Sequence, residues 1–214
     1  MENFITYLEF IGTIAFAASG ALLGIRKGFD LFGIIIMGII TAVGGGILRD
    51  VLLGVTPPIM FSNPIYCIIA AITSVLMFLP FVKKIVPSQH WRDIIFIVSD
   101  SLGLAAFTVV AVIYTYQLGI DNQFLIVVVS VITGVGGGML RDVFACEMPY
   151  IFRKHIYAVA SLIGAVFCTC LYGILNSDIL MAAGIAIIFI IRILSAVLKI
   201  NLPRIRETDS PNKK

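Results

Sequence analysis

Charge is what this chain has least of. Only 13% of its 214 residues are Asp, Glu, Lys or Arg, against 60% hydrophobic, and the mean hydropathy is +1.07. A soluble core cannot absorb that much apolar surface at this length. The composition excludes a soluble globular domain and implies a polytopic membrane protein. Histidine is nearly absent: His90 and His155 lie in connectors beside basic residues, where a headgroup-facing role suits them better than a metal. Cys67, Cys146, Cys168 and Cys170 fall in or beside apolar runs, and their spacing supports neither a disulfide framework nor a zinc site. They read as small apolar fillers. HExxH, P-loop and GxSxG patterns are missing, so no enzyme and no bound cofactor or metal is expected. No nucleic-acid partner is expected either. No Lys or Arg precedes Arg26 and no small-residue cleavage site precedes the first apolar run, so a removable signal peptide is not expected.

What is present is a series of apolar runs of spanning length, punctuated by charges and prolines. Seven spans are predicted: 4–24, 30–53, 64–82, 93–116, 123–146, 155–175 and 179–200. They form one transmembrane domain over 1–202, and the polar tail 203–214 reads as disordered. Call the N-terminal side A and the other side B. Connectors on side B hold Arg26, Lys27, Lys83, Lys84, Arg153, Lys154, Arg204, Arg206, Lys213 and Lys214, with Arg92 and Lys199 at span ends. Connectors on side A hold Glu2, Asp121 and Asp178 and no base. The positive-inside rule then places the C-terminus in the cytoplasm and the N-terminus outside. A prokaryotic plasma (inner) membrane fits so compact a chain, with lipid all round it.

Within the second span lies TAVGGGILRD, Thr41–Asp50, and it returns in the fifth as TGVGGGMLRD, Thr133–Asp142. Eight of the ten residues are identical. Glycine costs roughly 1 kcal/mol relative to alanine in a helix interior. Each membrane-embedded charge costs about 2.5–3.5 kcal/mol on insertion scales. Doing both twice requires a reason. Gly12 and Phe16 also match Gly103 and Phe107, and Gly28-Phe29-Asp30 matches Gly119-Ile120-Asp121. Repeat one covers about 4–84 and repeat two about 93–175, with the seventh span (about 179–200) outside both. Three spans per repeat is an odd number, so the halves insert with opposite orientation, a recurrent plan of transport proteins.

Gly44, Gly45 and Gly46, with Gly136, Gly137 and Gly138, have two readings. They break or kink the second and fifth helices and bare carbonyls to a polar pathway, or they allow close packing, as the GxxxG face of Gly134 and Gly138 suggests. Arg49 and Asp50 lie near the side A end of their span, Arg141 and Asp142 near the side B end of theirs. Neighbours on a helix point about 100° apart, so each Arg need not pair with its own Asp. Equivalent depth points instead to Glu9–Arg49 and Asp100–Arg141 proximity, one polar cluster at each mouth of the pathway. These pairs either gate the mouths or merely fix helix positions. Thr13, Ser19, Thr41, Ser101, Thr108 and Thr133 could line a wet path or simply bond their own helices. Arg192, in the seventh span, either snorkels to side B or pairs with an acid of the bundle.

The doubled GGGxLRD block, the Pro57-Pro58 after the first, Pro149 after the second and the SDSLGLAAF stretch at Ser99–Phe107 resemble the prokaryotic trimeric intracellular cation (TRIC) channels. The likeness covers about residues 4–200. It implies a homotrimer with seven helices and a pore in each subunit, potassium as main permeant ion and sodium also passing. The second and fifth helices would line the pore, kinked at Gly44–Gly46 and Gly136–Gly138, with Arg49, Asp50, Arg141 and Asp142 as the family's charged pairs. Animal members carry a voltage-linked base in the fourth helix; no Lys or Arg lies between Asp93 and Tyr116 here. The residues themselves fit a monovalent cation channel or, alternatively, a secondary transporter for a small solute such as an amino acid.

Overall fold

The computed structural model describes residues 2–79, 88–153 and 156–198. Lys83, Lys84, Lys154, His155, Lys199 and the tail 203–214 lie outside the described residues. The described chain is helical: α1 Glu2–Arg26, α2 Leu31–Leu52, α3 Ile59–Ser62, α4 Ile65–Phe78, α5 Gln89–Gln117, α6 Gln123–Phe144, α7 Tyr150–Arg153, α8 Ile156–Leu171 and α9 Ser177–Val197. Five of these are long and apolar enough to cross a membrane, and α4 and α8 are shorter apolar helices. Together they are the seven predicted spans. Two one-turn helices, α3 and α7, were not expected; each follows a glycine-triplet helix at the same place in its repeat.

Local chemistry sets the ends. The Asp30 side chain accepts from the Gly33 amide at 2.7 Å, and Asn122 accepts from Leu125 at 3.1 Å, so α2 and α6 start on matching caps. Their exits match too. The Val55 amide donates to Asp50 O at 2.8 Å, and Glu147 to Asp142 O at 2.9 Å. This turn needs one residue with positive φ. In the first repeat it is Gly54, φ 71°; in the second it is Cys146, φ 53°. A side chain there is strained by about 1 kcal/mol. Cys146→Gly is therefore expected to raise the unfolding midpoint by about 2–4 °C, read by thermal denaturation in detergent. A lower midpoint would contradict the strain.

α1 packs on α2 and α5, and α2 on α6, so each repeat's first two helices meet their counterparts. The contacts are reciprocal, as a twofold inversion requires: Phe16 stacks on Phe107 with ring centres 5.5 Å apart. α4 lies on α1 and α2, and α8 on α6 and α5. α9, outside the repeat, packs on α8 and α5. The bundle interior holds polar side chains, among them Thr13, Ser19, Thr41, Thr108, Thr133 and Arg141, all at most 1% exposed. Large apolar side chains such as Phe32 and Phe124 point outward, where an apolar surrounding makes them favourable.

Candidate functional site

The site is built on the crossing of α2 and α6. A Cβ on Gly45 would lie 2.2 Å from the Thr133 carbonyl oxygen, and one on Gly137 would lie 2.2 Å from that of Thr41. Gly44 faces Leu140 in the same way that Gly136 faces Leu48. Both helices remain helical throughout. The expected breaks are thus corrected: a kink at the triplets is a bend within continuous helix, and no half-helix ends meet there. The glycines are required because two backbones touch, and that contact offsets their poor helix propensity. The third glycines differ. Gly46 meets nothing within 4 Å, whereas Gly138 faces the Tyr157 hydroxyl.

On side B, Arg141 is fully buried and its Nη1 lies 2.7 Å from Asp100 Oδ1, the expected pair. The same nitrogen donates to Ser19 Oγ at 3.0 Å, and the guanidinium sits 4.6 Å from the Phe96 ring centre. Arg192 reaches Asp100 Oδ2 at 3.4 Å and covers the Tyr157 ring at 4.6 Å. It is 2% exposed, so it pairs with an acid of the bundle instead of snorkelling. Tyr157 donates to Asp100 Oδ1 at 3.4 Å. Just beyond, Lys27 meets Glu147 at 2.9 Å and Arg26 pairs with Asp93. The Tyr150 phenol, in α7 between spans, is pushed up by burial and by the Asp100 charge, so it stays protonated.

On side A, Glu9 and Arg49 line one small cavity, as their depth predicts, but the ion pair of Arg49 is not with Glu9. Arg49 turns to its own neighbour, Nη2 to Asp50 Oδ1 at 2.8 Å, and lies 4.1 Å from the Tyr114 ring centre. Glu9 accepts from the Tyr66 hydroxyl. Arg141 likewise bonds its own Asp142, at 2.9 Å from Nε, so sequence neighbours do pair in both repeats. The reason is a second task for each Asp. Asp50 Oδ2 accepts the Ile59 amide at 2.8 Å, and Asp142 Oδ2 accepts that of Tyr150 at 2.9 Å. Each carboxylate turns back to cap α3 or α7, which brings its other oxygen to the preceding Arg.

A cavity of about 30 Å³ opens at side A, lined by Glu9, Thr13, Gly46, Arg49, Asp50 and Tyr66 among others. That is room for one or two water-sized molecules. Of the other hydroxyl residues, Thr41, Thr108 and Thr133 bond their own helices at 2.6–2.7 Å, and Thr108 also bonds Ser161 at 2.7 Å. The Ser101 hydroxyl is buried without a hydrogen-bond partner among the described residues. Sequence reasoning passed over Tyr66 and Tyr157. The signal was there: an Ile-Tyr pair opens the third helix of both repeats, at Ile65-Tyr66 and Ile156-Tyr157. Among the described residues, no group of three or more His, Cys, Asp or Glu is placed to hold a metal ion.

Comparison with known proteins agrees with this architecture. The family model described as "Glycine transporter" matches residues 6–81 and 97–173, one block per repeat. The UPF0126 inner membrane protein YadS of Escherichia coli is 34% identical over 199 residues, 92% of this chain and 94% of its own. A UPF0126 membrane protein of Deinococcus radiodurans is 38% identical over 161 residues, 74% of this chain and 72% of its own. Among solved structures, a prokaryotic TRIC channel in 0.5 M KCl superposes with a TM-score of 0.86 at 32% identity, covering 94% of this chain and all of that one. The TRIC orthologue from Rhodobacter sphaeroides gives 0.83 at 30% identity, covering 92% and 98%. The doubled glycine block, the inverted seven-helix fold and these likenesses converge: the chain belongs to the family of the glycine transporter model, that of the UPF0126 membrane proteins and the prokaryotic TRIC channels.

Proposed function

We propose that this chain is a monovalent cation channel, with one pore in each subunit of a homotrimer. Potassium is the main permeant ion and sodium a second one. The cavity at side A carries this reading: two carboxylates, Glu9 and Asp50, face a single base, Arg49, in a recess large enough for a bare cation. A net negative recess concentrates cations and excludes anions. The TRIC likeness, over most of both chains, supports the same reading. Glu9, Thr13, Gly46, Arg49 and Asp50 form the outer mouth. Ser19, Asp100, Arg141 and Asp142 form the inner gate. The glycines of the crossing, with Ser101 and Thr108 beside them, lie between the two. The pore occupies a single domain, 1–202, in a prokaryotic inner membrane, with the basic connectors and the tail in the cytoplasm.

The description of the matching family model favours a second reading, a secondary transporter for a small amino acid. Planar bilayers separate the two. The purified full-length protein in a potassium gradient should give unitary currents that reverse near the potassium equilibrium potential. Saturable, ion-coupled uptake without unitary currents would sink the channel and favour the transporter.

A further inference from the structure

The molecule carries one polar arrangement twice, and among the described residues only one copy contains a cation from outside the repeat. Glu9, Tyr66, Arg49 and Asp50 stand at the repeat positions of Asp100, Tyr157, Arg141 and Asp142. In each copy a tyrosine hydroxyl bonds the acid of the first helix. In each copy the Arg-Asp pair closes on itself and the Asp caps the following short helix. The inner copy has a further member, Arg192 on α9. Asp100 gives Oδ1 to Arg141 and Tyr157 and Oδ2 to Arg192, whose guanidinium also lies over the Tyr157 ring. Two acids and two bases cancel.

Among the described residues the outer copy has no counterpart of α9 and no second base. Glu9 gives Oε2 to Tyr66, and Oε1 has no protein partner among the described residues. The net formal charge is one negative. Where Gly138 meets the Tyr157 hydroxyl, Gly46 meets nothing, and that space belongs to the side A cavity. Thr13 lines the cavity and is 1% exposed. Like Arg192, a cation placed there would find a carboxylate oxygen and an aromatic ring. A bare potassium ion is about the size of a water molecule, so the cavity admits it.

We infer that the side A cavity is a site for a small monovalent cation, which takes the place that the Arg192 guanidinium holds in the inner copy. Glu9 and Thr13 ligate it, with the Tyr66 ring beside it. This deepens the channel reading by placing an ion at its outer mouth, and it is testable without conduction. The full-length protein in detergent is unfolded thermally in potassium chloride and in N-methyl-D-glucamine chloride of equal ionic strength. Potassium is expected to raise the wild-type midpoint by about 2–4 °C. Glu9→Gln should abolish the rise. Should that variant not fold, Gly46→Val, whose Cβ enters open space, fills the cavity and should abolish it equally. No rise in wild type, or a full rise in either folded variant, overturns the site. Silent bilayers with an intact, Glu9-dependent rise would sink the channel reading and leave the site standing; currents without any rise would do the reverse.

Discussion

Gly45→Ala and Gly137→Ala should each lower the unfolding midpoint by about 10 °C, while Gly46→Ala leaves it unchanged or raises it. All three add one methyl group to the middle of a helix, where alanine is intrinsically better than glycine by about 1 kcal/mol. Propensity alone therefore predicts three stabilised proteins. The crossing predicts otherwise. At Gly45 and Gly137 the new Cβ falls on a carbonyl oxygen of the facing helix, and a backbone atom cannot rotate away. The helices must separate, which unpacks Leu48 and Leu140 from the neighbouring glycines. Overpacking of this kind costs about 3 kcal/mol, roughly 10 °C for a chain of this size. At Gly46 the methyl group enters open space. Thermal unfolding of the three variants in one detergent checks this. Equal midpoints for Gly45→Ala and Gly46→Ala would mean that the backbones do not touch as described.

The spans were legible because lipid leaves the sequence little freedom: an apolar run bounded by charge can do few other things. Predicted 30–53 became Leu31–Leu52, and predicted 123–146 became Gln123–Phe144. The inverted repeat was legible for the same reason, since an odd number of spans per copy leaves no other arrangement. The triplets were not. Glycine serves both a broken helix and a close crossing, and what separates the two is the residue opposite. That residue is a backbone carbonyl, on a helix far away in sequence, at the same depth.

The charged clusters divide in the same way. Depth along equivalent helices suffices to find Asp100 beside Arg141. Applied to Glu9 and Arg49, the same rule finds the shared cavity but not the ion pair, because depth does not fix the rotamer of a long side chain. Arg49 bonds Asp50 and lies over the Tyr114 ring. Nor could depth reveal that α9 leans on the second repeat, which brings Arg192 to one mouth and leaves the other without a second base among the described residues. The pseudo-symmetry is written in the repeats; its breaking is written in the helix that stands outside them.

That breaking sets the second large effect. Asp100→Asn is expected to cost about 4 kcal/mol, because removing one member of a buried ionic cluster leaves the others uncompensated. Asp100 serves two guanidinium groups, and both are shut off from bulk solvent: Arg141 is fully buried and Arg192 is 2% exposed. Arg141 keeps Asp142 as a partner, but Asp100 is the acid that Arg192 pairs with. Asparagine keeps the shape and loses the charge, so the expected loss is electrostatic, about 8–16 °C in midpoint. Arg192→Met should then rescue part of it. In the wild type the methionine strands one oxygen of Asp100; in the Asp100→Asn background it removes the orphaned cation. A double-mutant cycle should give a coupling of about 2 kcal/mol. Glu9→Gln, at the equivalent position of the outer mouth, should cost under about 1 kcal/mol, since its described partner is the Tyr66 hydroxyl and the cavity admits water. Equal losses for Asp100→Asn and Glu9→Gln would show that the two mouths are electrostatically alike, and that Arg192 does not neutralise the inner one.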